Sequence, residues 1–278
     1  MRFQRRIATL VNPVALAGPI ALASPIALVF LVAASLLTGC GTRRVAGMDE
    51  VYFAWDDRRV LCGVSIDDGL APGFVPDLDN LREGMDRALA RGEVLIFYAH
   101  EPGAGLSTDR LESVLALAVD VGLPFLTFDE LHGEPRGAGV ALTFDDAHID
   151  EWYEQRTLFA AYGARVTFFV TRIHRLSTAR LDKLHELHAD GHGIESHGLN
   201  HVHGPDYVEE YGLRAYLDDE VLPSLEVMRQ EGFTPTAFAY PFGARTSEID
   251  RAVLDHVELV RSISWTIRSP LIADPCPE

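Results

Sequence analysis

Short apolar runs separated by helical patterns recur from residue 60 to residue 264, and this alternation leaves the chain very few folds. Runs rich in β-branched and aromatic residues lie at 60–66, 94–99, 124–128, 140–144, 166–170, 193–196, 236–240 and 258–264. Between them, apolar residues recur at helical spacing. Leu81, Met85 and Leu89 do so in 77–90, and Leu111, Val114, Leu115 and Ala118 in 108–121. Leu181, Leu184 and Leu187 follow a Ser-Thr cap in 177–189, and Tyr211, Leu213, Leu217, Val221, Leu225 and Met228 fall in 205–231. Strand then helix, repeated, specifies a parallel sheet. Seven or eight such strands close most economically as a distorted (β/α) barrel in one α/β domain.

In barrels of this kind the side chains at the C-terminal strand ends build the active site. The run at 140–144 ends in Asp145-Asp146, two carboxylates that are costly to bury unless paired or bound to metal. Another run ends in Glu195-Ser196-His197, with His201 four residues on. Others end in Tyr98-Ala99-His100, in Ile66-Asp67-Asp68-Gly69 and in Tyr240-Pro241-Phe242-Gly243. Two histidines and a carboxylate form a ligand set for a divalent metal, which acidifies water and polarises a carbonyl. His197 and His201 have the needed separation, and Asp145 or Asp146 supplies the oxygen. The other aspartate is then placed as a base, and His100 as an acid. Asp67 and Asp68 are the candidates to keep the His100 imidazolium charged. The Phe242 N–H is a candidate oxyanion donor. His148, His185, His188, His192 and His203 read as surface, turn or packing residues, and Trp265 as core. Gly-x-Ser-x-Gly, Walker and dinucleotide-binding patterns are all absent.

The first 39 residues read as a leader outside the fold. Arg2, Arg5 and Arg6 precede an apolar run at 26–37, too short for a membrane span, and Leu37-Thr38-Gly39-Cys40 resembles a bacterial lipobox. The expectation is a signal peptide at 1–39, a lipidated Cys40 with a tether to residue 58, and a catalytic domain at 59–278. The product would be an exported lipoprotein at the periplasm or cell surface. The formal charge of −17 argues against nucleic acid, which needs basic patches.

Taken together, these residues resemble the NodB-homology polysaccharide deacetylases, carbohydrate esterase family 4, over roughly residues 59–268. The family's Thr-Phe-Asp-Asp motif is matched at 143–146, and its His-x-x-x-His motif by His197 and His201. The resemblance implies that Asp145 is the general base and that Asp146, His197 and His201 are the metal ligands. The family's Arg-x-Pro-Tyr-Gly motif stands here as Ala239-Tyr240-Pro241-Phe242-Gly243, without the arginine that usually steadies the base. The Leu-x-His motif, normally near the C-terminus, is replaced by 95–100, which precedes the aspartates. This resembles the circularly permuted biofilm poly-N-acetylglucosamine deacetylases. His100 then takes the general-acid role, and Asp67 corresponds to the aspartate that orients it. Permutation makes the two ends of the barrel neighbours, which implies a Cys62–Cys276 disulfide.

The resulting expectation is a metal-dependent hydrolase, zinc first with cobalt, nickel or iron as alternatives, that removes N-acetyl groups from an amino-sugar polymer. The rivals are a same-fold deacylase of a small amide or esterified glycan, and a catalytically silent glycan-binding surface lipoprotein.

Overall fold

The computed structural model describes residues 51–68, 76–264, 267–269 and 272–273. The chain divides into two units, 1–43 and 44–278, and every described residue belongs to the second. The leader, Cys40, Trp265 and Cys276 lie outside the described residues. No helix among the described residues is long and apolar enough to cross a membrane.

Seven parallel strands close into a barrel: β2 (Val60–Ser65), β3 (Val94–Ala99), β4 (Gly139–Asp146), β5 (Thr167–Val170), β6 (Gly193–Ser196), β7 (Ala237–Ala239) and β8 (Leu259–Ser264). Each pairs with its sequence neighbours, and β2 pairs with β8 from Val60↔Val260 to Val64↔Ser264 to close the ring. The first and last barrel strands are therefore adjacent, as in any closed ring whose strands follow chain order. Buried Cys62 lies on that seam and is disulfide-bonded. One further strand, β1 (Tyr52–Phe53), adds antiparallel to β3. Residues 51–53 were expected to belong to a tether. Instead Val51, Tyr52 and Phe53 are buried, because they cover barrel surface that would otherwise be wet.

The strands read with a period of two. Leu61, Val94, Ile96, Ala141, Phe169, Ala237, Ala239 and Leu259 form one apolar cluster inside the barrel. Their neighbours Cys62, Leu95, Phe97, Leu142, Phe144 and Phe168 pack in a second cluster with the helices. These include α1 (Leu78–Arg91), α2 (Thr108–Val121), α3 (Ile149–Glu154), α4 (Arg156–Ala161) and α5 (Thr178–Ala189). A third cluster joins Phe238, Tyr240 and Val260 to the helices after β6. Helix ends follow local chemistry: Asp77, Ser107 and Ser177 cap α1, α2 and α5, and Gly92 and Gly122 end the first two in left-handed conformation.

Two expected elements differ. Residues 124–128 form no strand; only Phe125 bridges Val140. β5 pairs with β4 only from Thr143, so the edge beside Val140 is free. The segment uses that edge for two bonds, Leu126 N–H to the Val140 carbonyl and Val140 N–H to the Pro124 carbonyl, both 2.9 Å. It then turns helical at Phe128–His132 and packs Leu126 and Phe128 in the interior cluster. The expected helix at 205–231 is broken into α6 (Gly204–Tyr211), α7 (Leu213–Tyr216), a π-helical turn at Leu217–Val221, and α8 (Leu222–Gln230). Gly212 leaves helical geometry at φ 89°. Pro223 offers no N–H to the preceding turn, and the π turn absorbs that loss. A last helix, α9 (Ser247–Val253), leads into β8, and β9 (Ile267–Ser269) pairs with β10 (Ile272–Ala273).

Candidate active site and metal centre

Strand pleating separates the two aspartates that are adjacent in sequence. Ala141, Thr143 and Asp145 share the inward face of β4, so Asp145 points into the barrel and is 3 % exposed. Asp146 ends the strand with a left-handed backbone, φ 86°, and stands half-buried on the rim. Thr143 donates from Oγ1 to the Phe97 carbonyl at 2.9 Å and ties β4 to β3 below them.

Asp145 meets a residue that the motifs did not supply. Arg261, on β8 and 0 % exposed, donates from Nη2 to Asp145 Oδ1 at 2.7 Å and Oδ2 at 2.6 Å. Its guanidinium carbon also lies 5.4 Å from the Tyr98 ring centre and 5.0 Å from that of Phe169. The motif comparison found no arginine to steady the base; β8 supplies it. The signal was present in sequence. Arg261 is the one charge within the run Leu259–Ser264, and a charge in a buried strand needs a buried partner.

Asp146, His197 and His201 bring one ligand atom each within 4.8 Å of one another. Asp146 Oδ1 lies 3.8 Å from His197 Nε2 and 3.1 Å from His201 Nε2. His197 follows β6 and is 2 % exposed, and its Nδ1 is 2.9 Å from the Ala239 carbonyl. That contact places the ring proton on Nδ1 and leaves the Nε2 lone pair facing Asp146. Burial pushes the His197 imidazole down to about 4, so it is neutral at physiological pH, as a ligand must be. Burial disfavours the Asp146 charge, but hydrogen bonds from His148 and His201 and the neighbouring imidazoles outweigh it, and the carboxyl is held far below its usual range. The donor set therefore fits a divalent cation with open positions.

The acid candidate is equally well seated. His100 Nδ1 lies 2.6 Å from Asp67 Oδ2, and its backbone N–H donates to Asp67 Oδ1 at 3.1 Å. Trp152 Nε1 donates to the His100 carbonyl at 2.9 Å. Burial opposes the His100 charge, yet the Asp67 hydrogen bond and the charges of Asp145, Asp67 and Asp146 raise it to about 9. Of the two aspartates considered, Asp67 is the partner. Asp68 instead accepts from the Ser107 N–H at 2.9 Å and from its hydroxyl, at the start of α2.

Phe242 sits in the Pro241–Gly243 turn with φ 62°, its ring centre 4.7 Å from that of His201. Gly243 follows at φ 67°, where a Cβ would collide with Ile263. The turn therefore lies against β8 and beside the ligand set.

Other titratable residues sort by their surroundings. Glu195 lies outside the ligand set. Its carboxylate accepts from the Thr236 N–H (2.8 Å), the Thr236 hydroxyl (3.2 Å) and the Ala237 N–H (2.7 Å) at the start of β7, and burial pushes it up to about 8. His192 is a packing residue that accepts from the Val166 N–H, and His185 and His188 pack on Phe233. His203 caps α6. His148, expected to be a surface, turn or packing residue, reaches the site. Its Nε2 is 3.7 Å from Asp146 Oδ2 and its Nδ1 is 3.6 Å from Glu101 Oε2.

Comparison with known proteins agrees with this geometry. Residues 132–258 match the family model for polysaccharide deacetylase. Among solved structures, the fold is similar to IcaB from Ammonifex degensii, with 17 % identity, 66 % of this chain and 91 % of that chain covered, and TM-score 0.51. It is also similar to BA0330 from Bacillus anthracis, with 15 % identity, 66 % and 64 % covered, and TM-score 0.52. No curated protein matches the sequence. The chain resembles the polysaccharide deacetylases in this match and in its fold. It is thus a hydrolase of carbon–nitrogen bonds other than peptide bonds.

Proposed function

We propose that this protein removes N-acetyl groups from an amino-sugar-containing polysaccharide at the bacterial cell envelope, with a divalent metal, zinc first, held by Asp146, His197 and His201. A cation in that triad supplies Lewis-acid polarisation of the amide carbonyl and acidifies water. Asp145, oriented by Arg261, takes the proton from the attacking water. The Phe242 N–H donates to the carbonyl oxygen as it gains charge. His100, kept cationic by Asp67, gives its proton to the departing amine. One observation supports this reading above the rest: a base with its guanidinium, an acid with its carboxylate and a three-residue ligand set meet at one barrel mouth. A silent glycan-binding module has no use for a base and an acid together.

Export and lipidation at Cys40, after removal of residues 1–39, would place the site at the periplasm or cell surface, where such polymers lie. A disulfide from Cys62 to Cys276 would hold the closing seam in that oxidising compartment.

The test is acetate release from chitooligosaccharides, poly-N-acetylglucosamine and peptidoglycan, with and without chelator. The expected result is release on one of these polymers, lost with chelator and restored by zinc. Glycan binding that ignores chelator, with no acetate formed, would replace the enzyme by a binding module.

A further inference from the structure

The π turn at Leu217–Val221 carries three consecutive acids, and their fates differ. Asp218 pairs with Arg214, and Asp219 accepts from the Tyr207 hydroxyl, both at the surface. Glu220 is 2 % exposed and turns inward. Its two carboxylate oxygens grip one residue: Oε2 accepts from the Asn200 N–H at 2.8 Å and Oε1 from Asn200 Nδ2 at 2.6 Å. Its backbone carbonyl accepts from the Leu199 N–H at 3.2 Å. Asn200 immediately precedes His201, which is held at φ 65°, a left-handed conformation that is unfavourable for a residue with a Cβ.

The rest of the loop is fixed from other sides. Thr171 Oγ1 donates to the Gly198 carbonyl at 3.0 Å, and Arg175 Nη2 donates to Asn200 Oδ1 at 3.1 Å. Gly198, at φ 80°, lies so close that a Cβ there would stand 3.4 Å from Glu220 Oε2. Between His197 and His201, every residue is thus bound by a group outside the loop, and Glu220 makes three of these bonds.

We infer that Glu220 is a positioning residue for the metal centre: it imposes the strained backbone that aims His201 at Asp146. This rests on the metal-dependent reading above. The carboxylate is suited to the task because it presents two acceptors to two donors of one residue. Glutamine has the same shape but turns its amide NH2 toward a donor, so it loses one bond and adds a repulsion. A buried carboxylate in a π turn, fully used by one loop, is a costly arrangement for a surface helix that merely needs to pack.

The full-length protein, stripped of metal, is titrated with zinc against a chromophoric chelator, and its cobalt(II) form is read by visible absorption. Glu220→Gln should weaken zinc affinity about tenfold and Glu220→Ala up to about a hundredfold, the range for groups behind a metal ligand. Both should change the cobalt spectrum. Asn200→Ala should weaken zinc in the same direction, and the Glu220→Ala/Asn200→Ala pair should be no weaker than Glu220→Ala alone. Wild-type affinity and spectrum in Glu220→Gln and Asn200→Ala would overturn the inference, as long as His201→Ala loses zinc. If Glu220→Ala does not fold, those two milder variants decide. If His201→Ala also binds like wild type, the metal reading itself fails, which is a separate result.

Discussion

The site has two halves that were assembled by different parts of the chain. The ligand half, Asp146, His197 and His201, comes from β4, β6 and the loop after β6, within the segment 132–258 that matches the family model. The proton-handling half sets Asp145, from β4 within that segment, against residues of the flanking strands, Asp67 after β2, His100 after β3 and Arg261 on β8, which lie outside it. The ligand half is held by backbone geometry, through left-handed residues and a carbonyl behind His197. The proton half is held by charge, through two ion pairs. Metal loading and proton transfer should therefore be separable by mutation.

The largest test of that separation is His197→Ala, which should abolish both zinc binding and acetate release; retained activity without metal would erase the distinction. Asp145→Asn should cost about 10²–10⁴-fold in kcat/KM while zinc still binds at wild-type affinity. Loss of metal in that variant would merge the halves. His100→Gln should likewise lower kcat by about 10²-fold or more and spare metal affinity, measured by the same titration. Arg261→Met leaves Asp145 buried without its partner and should destabilise the fold by about 3–5 kcal/mol, a fall in Tm on the order of 10 °C by calorimetry.

The smallest effect concerns pH. The His100 value is raised above its ordinary 6.5 to about 9, so the stabilising charge is fully present below the ordinary value and is lost as pH rises through about 9. Activity should fall on that limb, and Asp67→Asn should move the limb downward. A limb that stays in place in Asp67→Asn would show that the acid is not His100.

The two halves were also unequally legible in sequence. Contiguous signals carried the ligand half: an apolar run that stops at two aspartates, and two histidines four apart at the end of another. His100 was readable because it ends the run at 94–99, and the choice between Asp67 and Asp68 needed only the third dimension. Arg261 and Glu220 were missed for a common reason. Each serves a residue far away in the chain, so no local spacing marks it. Arg261 left a trace as the one charge within a buried strand, whereas Glu220 was hidden in a run of three acids whose other members are solvated. The strand expected at 124–128 fits local propensity, but it pairs with β4 only at Val140, where β5 has not yet begun, and turns helical at Phe128–His132. The long helix expected over 205–231 has the right apolar rhythm, but Gly212 and Pro223 interrupt its backbone.

The bond between Arg261 and Asp145 spans 116 positions of the chain. In synthesis, Asp145 emerges long before the strand that orients it. A chain made from its N-terminus contains the ligand residues and the acid pair before it contains β8. Its base acquires its guanidinium only when β8 docks between β7 and β2. Closure of the seam therefore also completes the base, because the strand that closes the ring is the one that carries its guanidinium.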